Sequence, residues 1–407
     1  MERCGHVESP LRRLPRGELP EAERAVKRVD SPWSAVVVAA LAYGWFIATL
    51  LSGAHFDPSH FVVAGDLFCD AREAPASLRT IEKRSSGYDG QFYYRLSVDP
   101  FTRAKKEHGI EIDAPPYRHQ RILYPLLTWM LSGFGRQQAV PWALIGTNFL
   151  GLLVIAYAAS AIMKRAGRHA LWGLLVALYP GFLFTLRADL TEITEASMLV
   201  LAVHELQRRR QASGVLFLSL AVLAKEVALL APATALALFV WERVRPGRRD
   251  RTIQWTTWCV PLLVFCVWQG ILRLVWGQFP MSAAQQLKGT PFTAVVAFVA
   301  RVVPPRNLTH RNWTTELIYQ GTLAVFAIVA ARRSPLPSWT RLGALAYLVL
   351  GLALNKDIWL EDTGFMRALA EFATLALLSV GSTEAASKAL LLSLTAATWV
   401  VVAIRLF

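Results

Sequence analysis

Trp33-Ser-Ala-Val-Val-Val-Ala-Ala-Leu-Ala-Tyr-Gly-Trp-Phe-Ile-Ala-Thr-Leu-Leu51 is a run of 19 residues without one charge. As a helix it rises about 28 Å, close to the roughly 30 Å of hydrocarbon in a bilayer. Such a run reads as a membrane span, here about residues 33–52. Similar runs follow at about 140–163, 170–186, 191–206, 254–276, 315–331, 341–355, 365–382 and 386–405. Residues 213–243 are too long for one span and carry Lys225-Glu226 at their centre, so they read as two short spans meeting at that pair. The expected fold class is an all-α integral membrane protein with about 11 transmembrane helices.

Composition agrees. Of 407 residues, 54% are hydrophobic and 18% are charged, a balance unlike that of soluble domains. The formal charge of +14 raises nucleic acid as a partner, but the placement of the charge argues against it. Basic residues sit in short tethers between apolar runs: Lys164, Arg165 and Arg168; Arg208 to Arg210; Arg243, Arg245, Arg248, Arg249 and Arg251; Arg332 and Arg333. Short basic loops mark the cytoplasmic side of a membrane protein. A nucleic-acid surface would instead gather basic residues on one folded face. Threading by this rule makes residues 1–32 a cytoplasmic, disordered tail and 33–407 a single polytopic domain in the cell (inner or plasma) membrane.

Two segments then fall outside: a first external loop, 54–121, and a second at about 277–313. Residues 122–134 are apolar but too short to span comfortably, so they read as a helix at the outer interface. Asp89, Asp189, Glu192, Lys225, Glu361 and Arg367 all map to the outer side, where a site would lie. The four cysteines show no metal-ligand spacing.

Within the first loop, Gly87-Tyr-Asp-Gly-Gln-Phe-Tyr-Tyr94 places Asp89 between glycines and ahead of three aromatics. The glycines let the backbone turn sharply or be approached closely; a β-turn stabilised by Asp is the simpler reading. Together with Arg118-His-Gln-Arg-Ile-Leu-Tyr-Pro-Leu-Leu, this loop resembles the GT-C superfamily of polytopic membrane glycosyltransferases. Leu178-Tyr-Pro-Gly-Phe-Leu-Phe-Thr-Leu-Arg-Ala-Asp-Leu-Thr-Glu resembles that family's second acidic turn. Leu220-Ala-Val-Leu-Ala-Lys-Glu resembles its helix break bearing a basic residue, and Gly364-Phe-Met-Arg-Ala-Leu its late span opening with Arg. The pieces occur in order over about residues 33–380.

The resemblance implies a GT-C-like bundle. It also implies transfer of a sugar from a polyprenyl-phosphate donor to an acceptor hydroxyl on the non-cytoplasmic face, with inversion. Phosphate leaves readily, so the minimum is one carboxylate for the acceptor proton and cations for the departing phosphate. Asp89 is the candidate base. Arg118, Arg121, Lys225 and Arg367 are candidate donor-phosphate ligands, and Asp189, Glu192, Tyr88 and Gln91 are candidate acceptor or orienting residues. The expected partners are a lipid-linked sugar donor, a glycan, lipid or peptide acceptor and membrane lipids. No cofactor or metal ligand is assigned; a divalent metal stays open, although the first loop lacks the tight Asp-x-Asp pair that would favour one.

Each assignment has a plainer rival. Lys225 and Glu226 could pair with each other, as could Arg367 and Glu371 one turn apart. Asp189 and Glu192 could cap a helix, Arg118 and Arg121 could reach to lipid headgroups, and His119 reads as a surface residue. The alternative function is a multi-pass transporter or flippase for a lipid-linked or envelope precursor.

Overall fold

The structure, a computed structural model, describes residues 30–244, 254–283, 290–360, 364–384 and 387–407. The tail up to residue 29, Arg245, Arg248, Arg249, Arg251 and Glu361 lie outside these residues. The protein is a largely helical, multi-pass membrane protein, with four two-residue strands in its first loop. Six described helices are long and apolar enough to cross a bilayer, and a bent pair makes a seventh. The count of about 11 is not confirmed among the described residues, because several expected spans are short or broken.

Helix α1, Pro32–Gly53, opens with Ser31 accepting from the Trp33 amide and Pro32 in the first turn. The first loop follows. It contains a parallel pair of short strands, β1 (Ala64–Gly65) and β2 (Ile81–Glu82), then helix α2 (Gly90–Val98). An antiparallel pair, β3 (Lys106–Glu107) and β4 (Ile110–Glu111), and helix α3 (Pro115–His119) complete it. The loop has its own apolar core, including Phe92, Tyr93, Ile110 and Ile112, which continues onto Tyr124 and Leu144 of the next helices. Arg95, buried beneath this core, holds Glu107 and Thr102. Helix α4, Leu123–Leu131, is nine residues long, about 13 Å, and cannot cross a bilayer.

Helix α5, Val140–Arg165, starts against the loop core and ends in a basic tether. The expected straight span at 170–186 is instead broken at Leu178–Pro180. Helix α6 (Leu174–Ala177) and helix α7 (Gly181–Arg187) meet there, and the stretch Ala170–Ala177 is bent by 57° against α7. Proline has no amide to continue the helix, and buried carbonyls freed by a break need partners. Tyr43 of α1 supplies one by donating to the Ala177 carbonyl at 2.7 Å. Arg187 ties the end of α7 to the loop by donating to the His60 carbonyl and ring, at 3.0 and 2.9 Å.

Helix α8, Glu192–Gln207, runs from the loop side to Arg208–Arg210, about 24 Å away. Helices α9 (Gln211–Ala224) and α10 (Leu230–Val244) flank the expected break, with Lys225 extended at φ −159°. Helix α11, Thr256–Trp276, packs on both.

The second loop of 277–313 is largely helical, since α12 (Thr293–Val302) lies inside it and α13 (Leu308–Arg333) begins before its end. Helix α14, Ser338–Ala353, and the single turn α15, Lys356–Trp359, lead to the last break. There the expected span 365–382 divides at Leu369 into α16, Gly364–Ala368, and α17, Ala370–Gly381. The Met366 carbonyl accepts from Tyr179 at 2.5 Å, and Tyr179 in turn accepts from Gln320 at 2.6 Å. Helix α18, Ser387–Leu406, closes the bundle.

Candidate active site

Four interruptions of helical structure converge where the first loop meets the bundle: the start of α2, the turn before α8, the break at Lys225 and the break at Leu369.

Asp89 immediately precedes α2. A Cβ on Gly90 would overlap the backbone carbonyls of Ala188 and Val62, so only glycine lets α2 approach the turn before α8 so closely. Gly87, at φ +61°, is likewise pressed against the backbone of Gly65 and Val63. The glycines thus serve a close approach of backbone to backbone rather than of backbone to substrate. Gly90→Ala is expected to destabilise the protein by about 1–3 kcal/mol, read as a lower thermal unfolding midpoint in detergent. An unchanged midpoint would show that the facing carbonyls yield without strain.

The Asp89 carboxylate lies 2.8 Å from Nη1 of Arg118, and its side chain keeps 25% of its surface exposed. Burial raises this carboxyl, but Arg118, then Arg367 and Arg121, outweigh it and bring it below the usual carboxylate value. Arg118 is not reaching for headgroups. It is buried over the Phe92 ring at 4.5 Å and gripped by Asp113. Neither Arg118 nor Asp89 is among the residues that line the cavity described below.

Arg121 is also buried. It donates to Glu226 through Nε and Nη2 at 2.9 and 2.6 Å, to the Tyr117 hydroxyl at 2.7 Å and to Tyr93 at 3.3 Å. Lys225 faces away from Glu226. Its Nζ lies 2.6 Å from Glu371, 3.4 Å from Glu192 and 4.0 Å from Glu195. The extended backbone at Lys225 explains this, since successive side chains on extended chain point to opposite sides. Arg367 pairs with Glu192 at 3.2 Å and donates to the Tyr88 hydroxyl at 2.8 Å. Glu371 would sit beside Arg367 on a continuous helix, but the break at Leu369 turns it to Lys225 instead.

Arg121, Lys225, Arg367, Glu192 and Glu226 form the polar end of a cavity of about 560 Å³. The remaining walls are mainly apolar, with Val227, Leu230, Leu350, Leu354 and Ile358 among them, and Tyr347. Other expected site residues lie elsewhere. Gln91 is buried within the loop, accepting from the Gly65 amide and donating to the Ser86 carbonyl. Asp189, at φ +48°, is buried and does not line the cavity, and neither it nor Glu192 makes the side-chain cap of α8. His119 is buried, its Nδ1 2.7 Å from the Pro115 carbonyl.

Sequence reasoning missed Asp113 and Glu195 altogether. Glu195 had a signal, three residues after Glu192 and so on the same helix face. Among the described residues no three His, Cys, Asp or Glu side chains are grouped to hold a metal. Where Glu192, Glu195 and Glu371 converge, the Lys225 ammonium stands.

No family model matches this chain, and no curated protein does. Two solved structures resemble it. The chain is similar to ArnT from Cupriavidus metallidurans bound to undecaprenyl phosphate, with 12% identity and a TM-score of 0.48 over 85% of this chain and 59% of that one. It is similar to the apo form of ArnT with 12% identity and a TM-score of 0.35, over 84% and 78% of the two chains. The chain thus spans about three fifths of the length of the ligand-bound ArnT chain.

Proposed function

We propose that the protein is a GT-C-like membrane glycosyltransferase that takes its sugar from a polyprenyl-phosphate donor. The observation that carries this reading is the cavity, with three cations gathered at one end of a largely apolar chamber. A lipid phosphate has the matching shape, an anionic head on a hydrocarbon chain. Lysine carries three N–H bonds and arginine five, so each can donate to phosphate oxygens without surrendering its carboxylate. Already paired, these cations are held in place before a donor arrives, which is the preorganised arrangement that favours charge developing on a leaving group.

In the proposed reaction the acceptor oxygen attacks the anomeric carbon and its proton passes to Asp89. The bond from that carbon to the phosphate oxygen breaks, and the electron pair stays on the phosphate beside Arg121, Lys225 and Arg367. Attack opposite the leaving group inverts the anomeric centre. Asp89 lies beside the cavity rather than in its wall, because Tyr88 next to it is bonded to Arg367 of that wall. Glu192 and Tyr88 hold Arg367 in this reading. The basic tethers at the far ends of α5 and α8 support a cytoplasmic placement of that side, with the site on the non-cytoplasmic face.

Binding to the purified protein in nanodiscs tests the lipid-phosphate step. Undecaprenyl phosphate is expected to raise the unfolding midpoint, and undecaprenol, which lacks the phosphate, is expected to leave it nearly unchanged. Equal stabilisation by both would reduce the cavity to a site for hydrocarbon.

A further inference from the structure

We propose that Asp113 is a positioning residue for the candidate base: it takes two nitrogens of Arg118, leaves a third to Asp89, and so sets how tightly that cation holds the base. The inference rests on Asp89 being the base. Arg118 donates from Nε and Nη2 to the two Asp113 oxygens, at 2.8 and 2.7 Å. Its Nη1 lies 2.8 Å from Asp89. A bidentate fork fixes the guanidinium plane. Phe92, one turn along α2 from Asp89, supports that plane from below at 4.5 Å. Asp113 is itself anchored, because its Oδ1 also accepts the Ala114 amide at 2.7 Å just before α3 begins.

The consequence is electrostatic. Two carboxylates on one guanidinium repel each other, so the Asp113 charge offsets part of the attraction of Arg118 for Asp89. Without the Asp113 charge, the full attraction of Arg118 falls on Asp89, which becomes a weaker base. Without Arg118, Asp89 becomes a stronger base but loses its orientation. The other charged or titratable groups facing Asp89 are Arg367 and Arg121 from the cavity and Tyr93 and Tyr117 from the loop. None of them is bonded to Asp113, so changing Asp113 acts through its grip on Arg118 and through the direct repulsion between the two carboxylates on that guanidinium.

The ionisation of Asp89 can be followed without substrate by pH-difference infrared spectroscopy of the full chain in nanodiscs, with Asp89→Asn identifying its carboxyl band. Asp113→Asn keeps an oxygen acceptor for Arg118 and is expected to move the Asp89 midpoint down by about half a pH unit or more. Arg118→Gln is expected to move it up by about 1–3 units. A midpoint that stays or rises in Asp113→Asn overturns the proposal, because Asp113 would then be idle or would merely keep Arg118 in place. Full transfer of labelled sugar by Asp89→Asn would remove the base reading instead, whatever the order of the infrared midpoints.

Discussion

Asp89→Asn is expected to lower transfer from a labelled polyprenyl-phosphate sugar by about 10²–10⁴-fold, the range for losing one positioned general base. The protein is expected to insert and fold normally. Asparagine fills the same space, and Arg118 keeps its two-pronged bond to Asp113 and its support on Phe92. A cation stranded by the substitution would destabilise the protein, but this one is not stranded. The measurement is therefore a ratio of transfer rates at matched amounts of folded protein, using a panel of labelled sugars on one lipid carrier. Transfer at the wild-type rate would dismiss Asp89 from the mechanism. Because the folded-state carboxyl lies below its usual value, its contribution to stability is present above the ordinary carboxylate value. That contribution is lost as pH falls through the lowered one.

Lys225→Met is expected to have two effects, and a second variant separates them. Methionine fits the apolar surroundings, but it leaves Glu371 buried without its 2.6 Å partner. Removing one member of a buried pair costs about 3–5 kcal/mol, so the single variant is expected to unfold at a markedly lower temperature. Adding Glu371→Gln removes the stranded charge and is expected to restore most of that stability. Binding of undecaprenyl phosphate is expected to stay weak in the double variant, because one of the three cavity cations is still absent. If the double variant binds the lipid phosphate like wild type, Lys225 serves only the ion-pair network.

The placement of these charges shows how far a linear reading reaches. Lys225 and Glu226 interrupt an apolar run, and the interruption itself was legible, since a buried charge pair is not tolerated in mid-span without a reason. Their partners were not. Adjacency suggested that they pair with each other, but the extended backbone sends Glu226 to Arg121 and Lys225 to Glu371. The same error arises at Arg367 and Glu371, whose one-turn spacing presumes a helix that in fact breaks at Leu369. The arginines that flank His119 suggest a surface residue. The loop folds over it, and those arginines are buried as well.

From the residue string alone, the chain was determined to be helical and membrane-embedded, with basic tethers between its apolar runs. Those properties follow from local quantities: the length of uncharged runs, which must satisfy their own backbone in hydrocarbon, and the charge of the loops between them. The tertiary structure decided the rest. It broke the helices at Leu178–Pro180 and Leu369, gave freed carbonyls to Tyr43 and Tyr179, and brought residues 121, 192, 225, 226 and 367 around one cavity. Helical periodicity names neighbours only while a helix continues, and here each site residue lies at a helix end, at a break or on a loop.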